Sequence, residues 1–161
     1  MIPAKGYLDE KLDIDVLTGR MSDHIEALPN RMAKFSEEEL LQRPAPDKWS
    51  KKEILGHLID SAINNLKRFT EIQFLPAPHK ISVYQQVDLV LVNNYQHLPL
   101  EHLLSLWQSL NRQIVYVAKY IPTEKLEYPV DPDYPNKELK TLGWTIGDYV
   151  AHMEHHLRQI F

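Results

Sequence analysis

An all-α four-helix bundle is the fold that this sequence predicts, on three observations. Four long stretches carry apolar residues at steps of three and four. Proline-containing segments separate them and stop them. Ser36, Ser50 and Thr145 each stand three places before an acidic residue (Glu39, Glu53, Asp148) near an apolar run, the pattern of a helix-capping box.

The first helix is expected from about Asp13 to Phe35, with Ile14, Leu17, Met21, Ile25, Leu28 and Met32 on one side. Pro29 lies inside it and predicts a kink or a split. Ser36-Glu37-Glu38-Glu39 opens a short helical turn before Pro44, and RPAPDKWS reads as a rigid loop. The second long helix runs from Ser50 to about Phe74 and is stopped by PAPH. The middle stretch, SVYQQVDLVLVNNYQHL, alternates too poorly for a half-exposed strand and is read as a short helix. Pro99 suits a first helical position, and the following helix reaches Ile121. YPVDPDYPNKELKTLG predicts an irregular loop. The last helix is expected to start near Thr145 and run to the terminus. Together these imply an antiparallel bundle. Trp49, Trp107 and Trp144 are expected to seal the core and the helix starts, since Trp49 and Trp144 each precede a capping hydroxyl.

The chain has 161 residues, which suits one domain over residues 1–161. Its 43% hydrophobic and 25% charged content is that of an ordinary globular protein. The net charge of -4 argues against a nucleic-acid surface. Cysteine is absent, which excludes disulfides, thiolate ligands and a cysteine nucleophile, and fits a cytoplasmic protein. No signal-like apolar run opens the chain, no stretch approaches the ~20 apolar residues of a membrane span, and no glycine-rich phosphate loop occurs.

Chemistry concentrates in AHMEHHLRQI at the end of the chain. His152 and His156 are four apart on an expected helix, so their side chains project from one face, as in paired helical metal ligands. His155 points about 100° away from His156. It could replace His156 at i, i+3 spacing, although a capping or solvent-facing role suits it better. A third imidazole is available at His57, in WSKKEILGHLIDS. Glu53, His57, Asp60 or Ser61, Asn64 and Arg68 form a polar stripe on the second long helix. Taken alone, that stripe reads as a solvated face. The last helix has its own stripe, Tyr149, His152, His156 and Gln159, also flanked by apolar residues. Two such stripes suggest polar faces meeting inside a bundle, where a metal would satisfy three imidazoles together. Asp60 and Asp148 could orient ligand histidines, although Asp148 is also expected to cap. Asn64, Asn65 and Arg68 are candidates for holding a substrate's polar groups. His24, His79, His97 and His102 are expected to be surface or hydrogen-bonded residues. YVAKYI and LVLVNN carry more apolar surface than four helices need, which suggests a homodimer.

Trp49 to Ser61 (W-S-x-K-E-I-L-x-H-L-x-D-S), continued by Asn65 and Arg68, together with His152 to Ile160 (H-x-x-H-H-L-x-Q-I), resembles the DinB-like superfamily and within it the YfiT-type proteins regarded as metal-dependent hydrolases. The resemblance implies a four-helix bundle with one divalent metal, nickel or zinc, held by three histidines that match His57, His152 and His156. It implies a frequent homodimer. It also implies a small-molecule substrate, with relatives that transfer bacillithiol or mycothiol and one that isomerises maleylpyruvate with such a thiol. The expected function is therefore metal-dependent thiol transfer or hydrolysis. The alternative is a non-catalytic, stress-associated bundle whose metal is structural. An open coordination position favours the first; four protein ligands favour the second.

Overall fold

The computed structural model describes residues 13–133 and 138–161. Helix α1 (Ile14–Met32) begins where the Asp13 carboxylate accepts the backbone N–H groups of Asp15 and Val16. It is one helix across Pro29, neither split nor ended there. The missing proline N–H leaves the Ile25 carbonyl without its helical donor, and the Gln108 side-chain amide supplies one at 2.8 Å. A partner from another helix thus removes the penalty on which the expected break rested.

Both serine capping boxes form. Ser36 and Glu39 open α2 (Glu37–Leu41), and Ser50 and Glu53 open α3 (Lys51–Glu71). The Glu53 carboxylate also accepts both arms of the Arg43 guanidinium, which ties the preceding proline loop to the start of α3. Beyond α3 come β1 (His79–Lys80), α4 (Gln86–Val92), a 3₁₀ turn (Tyr95–His97), α5 (Leu100–Tyr120), α6 (Thr123–Leu126), β2 (Pro129–Asp131), β3 (Lys140–Thr141) and α7 (Leu142–Ile160). The short middle helix is present as expected, and Pro99 stands one place before α5 as its cap.

Two expectations are corrected here. The segment read as an irregular loop contains β2 and β3, and β2 pairs in parallel with β1 and antiparallel with β3. Strands of two or three residues are too short to show a period, and the fully buried Val130 holds this one in place. Helix α7 starts at Leu142, a turn earlier than Thr145. The Thr141 hydroxyl accepts from the Trp144 N–H at 3.1 Å, while the Thr145 hydroxyl donates to the Thr141 carbonyl. Thr145 and Asp148 therefore form no capping box; both lie inside the helix.

The bundle is built from α1, α3, α5 and α7, each packed on two others: α1 on α5 and α7, and α3 on α5 and α7. Contacts along their lengths give the directions. Lys51 of α3 reaches the Ile160 carbonyl and Phe69 packs on Tyr149, so α3 and α7 are antiparallel. Arg20 meets Glu154 while Arg31 lies over Phe161, so α1 and α7 run the same way. The starts of α3 and α5 share a cleft lined by Phe35, Lys52, Leu98 and Leu100, and Lys125 just beyond α5 bonds the Gln73 carbonyl just beyond α3. Helices α3 and α5 are therefore parallel too. The bundle has two parallel pairs, unlike the fully antiparallel one expected. The cause is the long connection after α3, which carries β1, α4 and the 3₁₀ turn back to the end where α3 began.

Gly56 is needed for that connection to dock. A Cβ there would stand 2.1 Å from the Tyr95 ring. Without one, the ring lies on α3 and its hydroxyl donates to Asp60 Oδ1 at 2.6 Å. The core includes Leu17, Met21, Leu28, Leu55, Ile59, Phe69, Trp107, Ile114, Ile146 and Met153. Trp107 is fully buried as expected, whereas Trp49 and Trp144 are half-buried. Val87, Leu91 and Val92 of α4 and Tyr116 and Tyr120 of α5 stay exposed. Among the described residues no helix is long and apolar enough to cross a membrane.

Candidate metal centre

The polar stripe of α3 is not a solvated face. Glu53, His57, Asp60 and Ser61 are buried and Asn64 and Arg68 half-buried, because α7 lies against this side of α3 and α4 with the 3₁₀ turn covers its flank. His152 of α7 is buried opposite, and His156 one turn further on is half-buried. The antiparallel packing of α3 and α7 brings His57 between them. The His57 ring centroid is 5.1 Å from that of His152 and 4.5 Å from that of His156, and the latter two are 4.6 Å apart. One ring nitrogen from each lies within 4.8 Å of the others, and no further His, Cys, Asp or Glu among the described residues joins the group.

The three residues that the sequence singles out thus meet at one point, and the question is whether their atoms suit a cation. His57 Nε2 and His152 Nε2 are 3.1 Å apart. Two nitrogens on one tetrahedral zinc at about 2.05 Å each stand about 3.3 Å apart, so little adjustment is needed. The opposite ring nitrogens have partners on two of the three rings. His152 Nδ1 faces the Ser61 hydroxyl at 3.4 Å, and His156 Nδ1 faces Gln159 Oε1 at 2.8 Å. The Gln159 side-chain amide in turn meets His155 Nε2 at 3.1 Å. An Nδ1–H donated to an oxygen leaves the Nε2 lone pair for a metal. His57 Nδ1 is buried without a hydrogen-bond partner, and the Trp49 ring packs against this imidazole with centroids 4.9 Å apart.

Electrostatics point the same way. Burial first, and then the neighbouring His156, push the His57 pKa down to about 3. Burial lowers His156 to about 4, the hydrogen bond to Gln159 opposing it. His152 is held well below the ordinary imidazole range, by burial and then by the other histidines. All three rings are therefore neutral at pH 7, the form that ligates a metal. An all-nitrogen donor set with lone pairs converging and no carboxylate among them fits a borderline divalent cation.

The other candidate residues have different placements. His155 lies outside the three-histidine group; its ring packs edge-on against that of His156 at 5.0 Å, and its Nε2 meets Gln159. Asn64 donates to the Asp60 carbonyl, and Asn65 to the Ser61 carbonyl at 2.9 Å. Arg68 donates to the Ser82 carbonyl and, at 3.4 Å, to Asn65 Oδ1. These side chains are thus engaged along α3 itself, and Arg68 holds the strip before α4. Asp60 Oδ1 accepts from Tyr95 and Asn93, while Oδ2 is buried without a partner, and burial raises its pKa. Its hydrogen bonds anchor the connection after α3, a role no local motif announces. Sequence reasoning also missed Tyr84, half-buried with its ring centroid 5.5 Å from the Arg68 guanidinium carbon; it lies in a stretch without periodicity or motif.

A helical bundle with three histidines converging from two of its helices defines a class, the four-helix bundle with a cluster of potential metal ligands. The particular family follows from comparison: the model of the DinB superfamily matches residues 20–160, and the chain belongs to that superfamily. No curated protein sequence matches it. Among solved structures, YfiT from Bacillus subtilis superposes with a TM-score of 0.82 at 21% identity, covering 95% of this chain and 86% of that one. It is described as a probable metal-dependent hydrolase with an unusual four-helix bundle topology. A mycothiol-dependent maleylpyruvate isomerase superposes with a TM-score of 0.67 at 9% identity over 91% of this chain, which spans 60% of that protein. A variant of the same isomerase gives 0.68. At these identities the likeness is one of fold.

Proposed function

We propose that this protein is a metal-dependent enzyme in which His57, His152 and His156 hold one divalent ion, nickel or zinc, and which acts on a small molecule by thiol transfer or hydrolysis. The observation that carries the reading is the convergence of three neutral imidazoles with no fourth protein ligand among the described residues. Three ligands are the number of a catalytic site, whereas structural sites close with four. Bound there, the ion would supply Lewis acidity, bringing a water or a thiol that reaches it to ionisation near neutral pH.

The chain's own part is binding, orientation and exclusion. Ser61 and Gln159 fix two of the rings, and Trp49 packs against the third. Asn64, Asn65 and Arg68, two to three turns beyond His57 on α3, would meet the polar end of a substrate. The absence of cysteine leaves no thiol of the chain's own to compete for the site. The description of YfiT as metal-dependent supports the hydrolytic branch, and the mycothiol dependence of the isomerase supports a low-molecular-weight thiol as partner. A cytoplasmic homodimer completes the proposal, with the exposed apolar residues of α4 and α5 as its contact.

The deciding experiment is metal analysis of the protein purified from its own host, followed by assay of the loaded protein with small thiols plus electrophiles and with esters and amides. One equivalent of metal and turnover that a chelator abolishes are expected. A loaded protein inert towards all of them would establish the stress-associated, structural alternative, and a protein that takes up no divalent ion would remove the reading. Sedimentation at micromolar concentration tests the dimer.

A further inference from the structure

Helices α3 and α7 lie antiparallel, so the place where one is fastened to the other fixes which residues face each other. One fastening lies at the start of α3. The Lys51 ammonium donates to the Ile160 carbonyl, which stands at the end of α7 and has no donor within the helix. A cation there also meets the negative pole of the helix dipole. Both helices rise by about 1.5 Å per residue. Six residues on from Lys51 is His57, and six back from Ile160 is Glu154. His57 therefore falls midway between His152 and His156, and its ring centroid lies 5.1 Å from one and 4.5 Å from the other.

The same lysine belongs to a second set of contacts. Its ammonium stands 4.4 Å from the Phe35 ring centroid. The Phe35 and Phe161 rings stack with centroids 5.7 Å apart, and the Arg31 guanidinium carbon lies 3.6 Å from the Phe161 centroid. Together these contacts join the end of α1, the start of α3 and the residue that follows α7. His156 depends on this fastening more than the other two histidines do. His57 and His152 are buried inside their helices, whereas His156 is half-buried and stands one turn before Ile160, where helical hydrogen bonds open most readily.

We infer that Lys51, Phe35, Phe161 and Arg31 form a clamp that sets the register of α7 on α3 and holds His156 in place as a ligand. The inference rests on the reading of the three histidines as ligands, but its test separates the two. In the metal-free full-length protein, hydrogen exchange at the Ile160 and Phe161 amides should quicken several-fold in Phe161→Ala and in Lys51→Met, while the Tyr149 and Val150 amides keep their wild-type rates. In zinc titrations against a competing chelator, Phe161→Ala should weaken binding about tenfold, the size of one cation–ring contact and one ring pair, because the ion must then order the last turn itself. Phe161→Tyr should keep the wild-type affinity. The loss on Phe161→Ala should persist when His152→Ala is also present and vanish when His156→Ala is, since the clamp acts through His156. Wild-type exchange in both clamp variants would overturn the inference. Losses of equal size on the two histidine backgrounds would overturn it too, as the mark of general destabilisation. A wild-type chain that takes up no zinc would overturn the ligand reading instead, and the exchange rates would still decide whether the clamp holds the last turn.

Discussion

Helix α7 carries two polar clusters, and they are built on opposite principles. On the side facing α1, Glu154 accepts both arms of Arg20 and the ring of His24 at 3.2 Å. On the side facing α3, His152 and His156 meet His57 with no carboxylate joining them. The first cluster is complete in itself: charges of opposite sign are paired, and the pairing with Arg20 and His24 outweighs burial to hold the Glu154 carboxyl below its usual range. In the second, three neutral imidazoles turn ring nitrogens towards one another, with no carboxylate in the group to neutralise a proton taken up there. A closed ion pair ties two helices together. An uncompensated group of bases is unfavourable by itself and favourable around a cation. Glu154 lies two residues from both His152 and His156, so the distinction is made by which helix each face meets.

The sharpest way to break this comparison is by metal binding. His57→Ala and His152→Ala should each weaken divalent metal affinity by at least about 100-fold in a chelator competition, since two imidazoles make a poor site. His24→Ala should leave it unchanged. Equal loss in all three would show that the clusters do not differ as described.

Acid should separate the two clusters next. The folded-state pKa values of His57 and His156, about 3 and about 4, lie below the ordinary imidazole value of 6.5. The unfolded chain therefore binds more protons than the folded one as pH falls below 6.5. The stability held at higher pH is lost through that window down to the folded values, at about 1.4 kcal/mol for each unit of depression in a fully buried ring such as His57. Glu154 also has a lowered pKa, but its stabilisation is lost only as pH falls below the carboxylate value of 4.5 towards its lower folded value. Thermal unfolding of the metal-free protein between pH 7 and about pH 5 should thus weaken through the histidines alone, and His57→Leu should flatten that part of the profile. A decline of unchanged steepness in His57→Leu would contradict this account.

Smaller effects should follow on the ion-paired side. Glu154→Gln should destabilise the fold by about 1 kcal/mol, a fall of about 3 °C in Tm, since Arg20 keeps partial access to water. Zinc affinity should not change by more than about twofold, well below the tenfold that a direct partner of a ligand commands. The smallest effect is expected of His155→Ala, which removes a partner of Gln159 but no ligand. It should retain most of its metal, while His156→Ala should lose much of it. Equal loss in the two would exchange their roles.

Local sequence made much of this legible. The i, i+4 spacing of His152 and His156 requires only a helix, and the apolar steps around them supply it. The serine boxes at Ser36 and Ser50 are contiguous and form as expected. Thr145 and Asp148 have the same spacing, yet Thr141 caps the helix, because the buried Leu142 extends its apolar face backwards by a turn. The split that Pro29 allowed did not occur for a non-local reason, since the donor that rescues the Ile25 carbonyl comes from α5.

By itself, then, the sequence determined the helical class, the positions of the long helices and the three histidines that could share a cation. These depend on spacing along one chain, which covalent geometry translates directly into faces. Tertiary structure alone decided that α3 and α5 run in parallel, that the histidine part of the α3 stripe is buried, and that Arg68 bonds the Ser82 carbonyl. It also placed Tyr84 beside Arg68. Each of these depends on contacts between residues distant in sequence, whose register is set by how buried side chains fill the space between helices, and no local period encodes that.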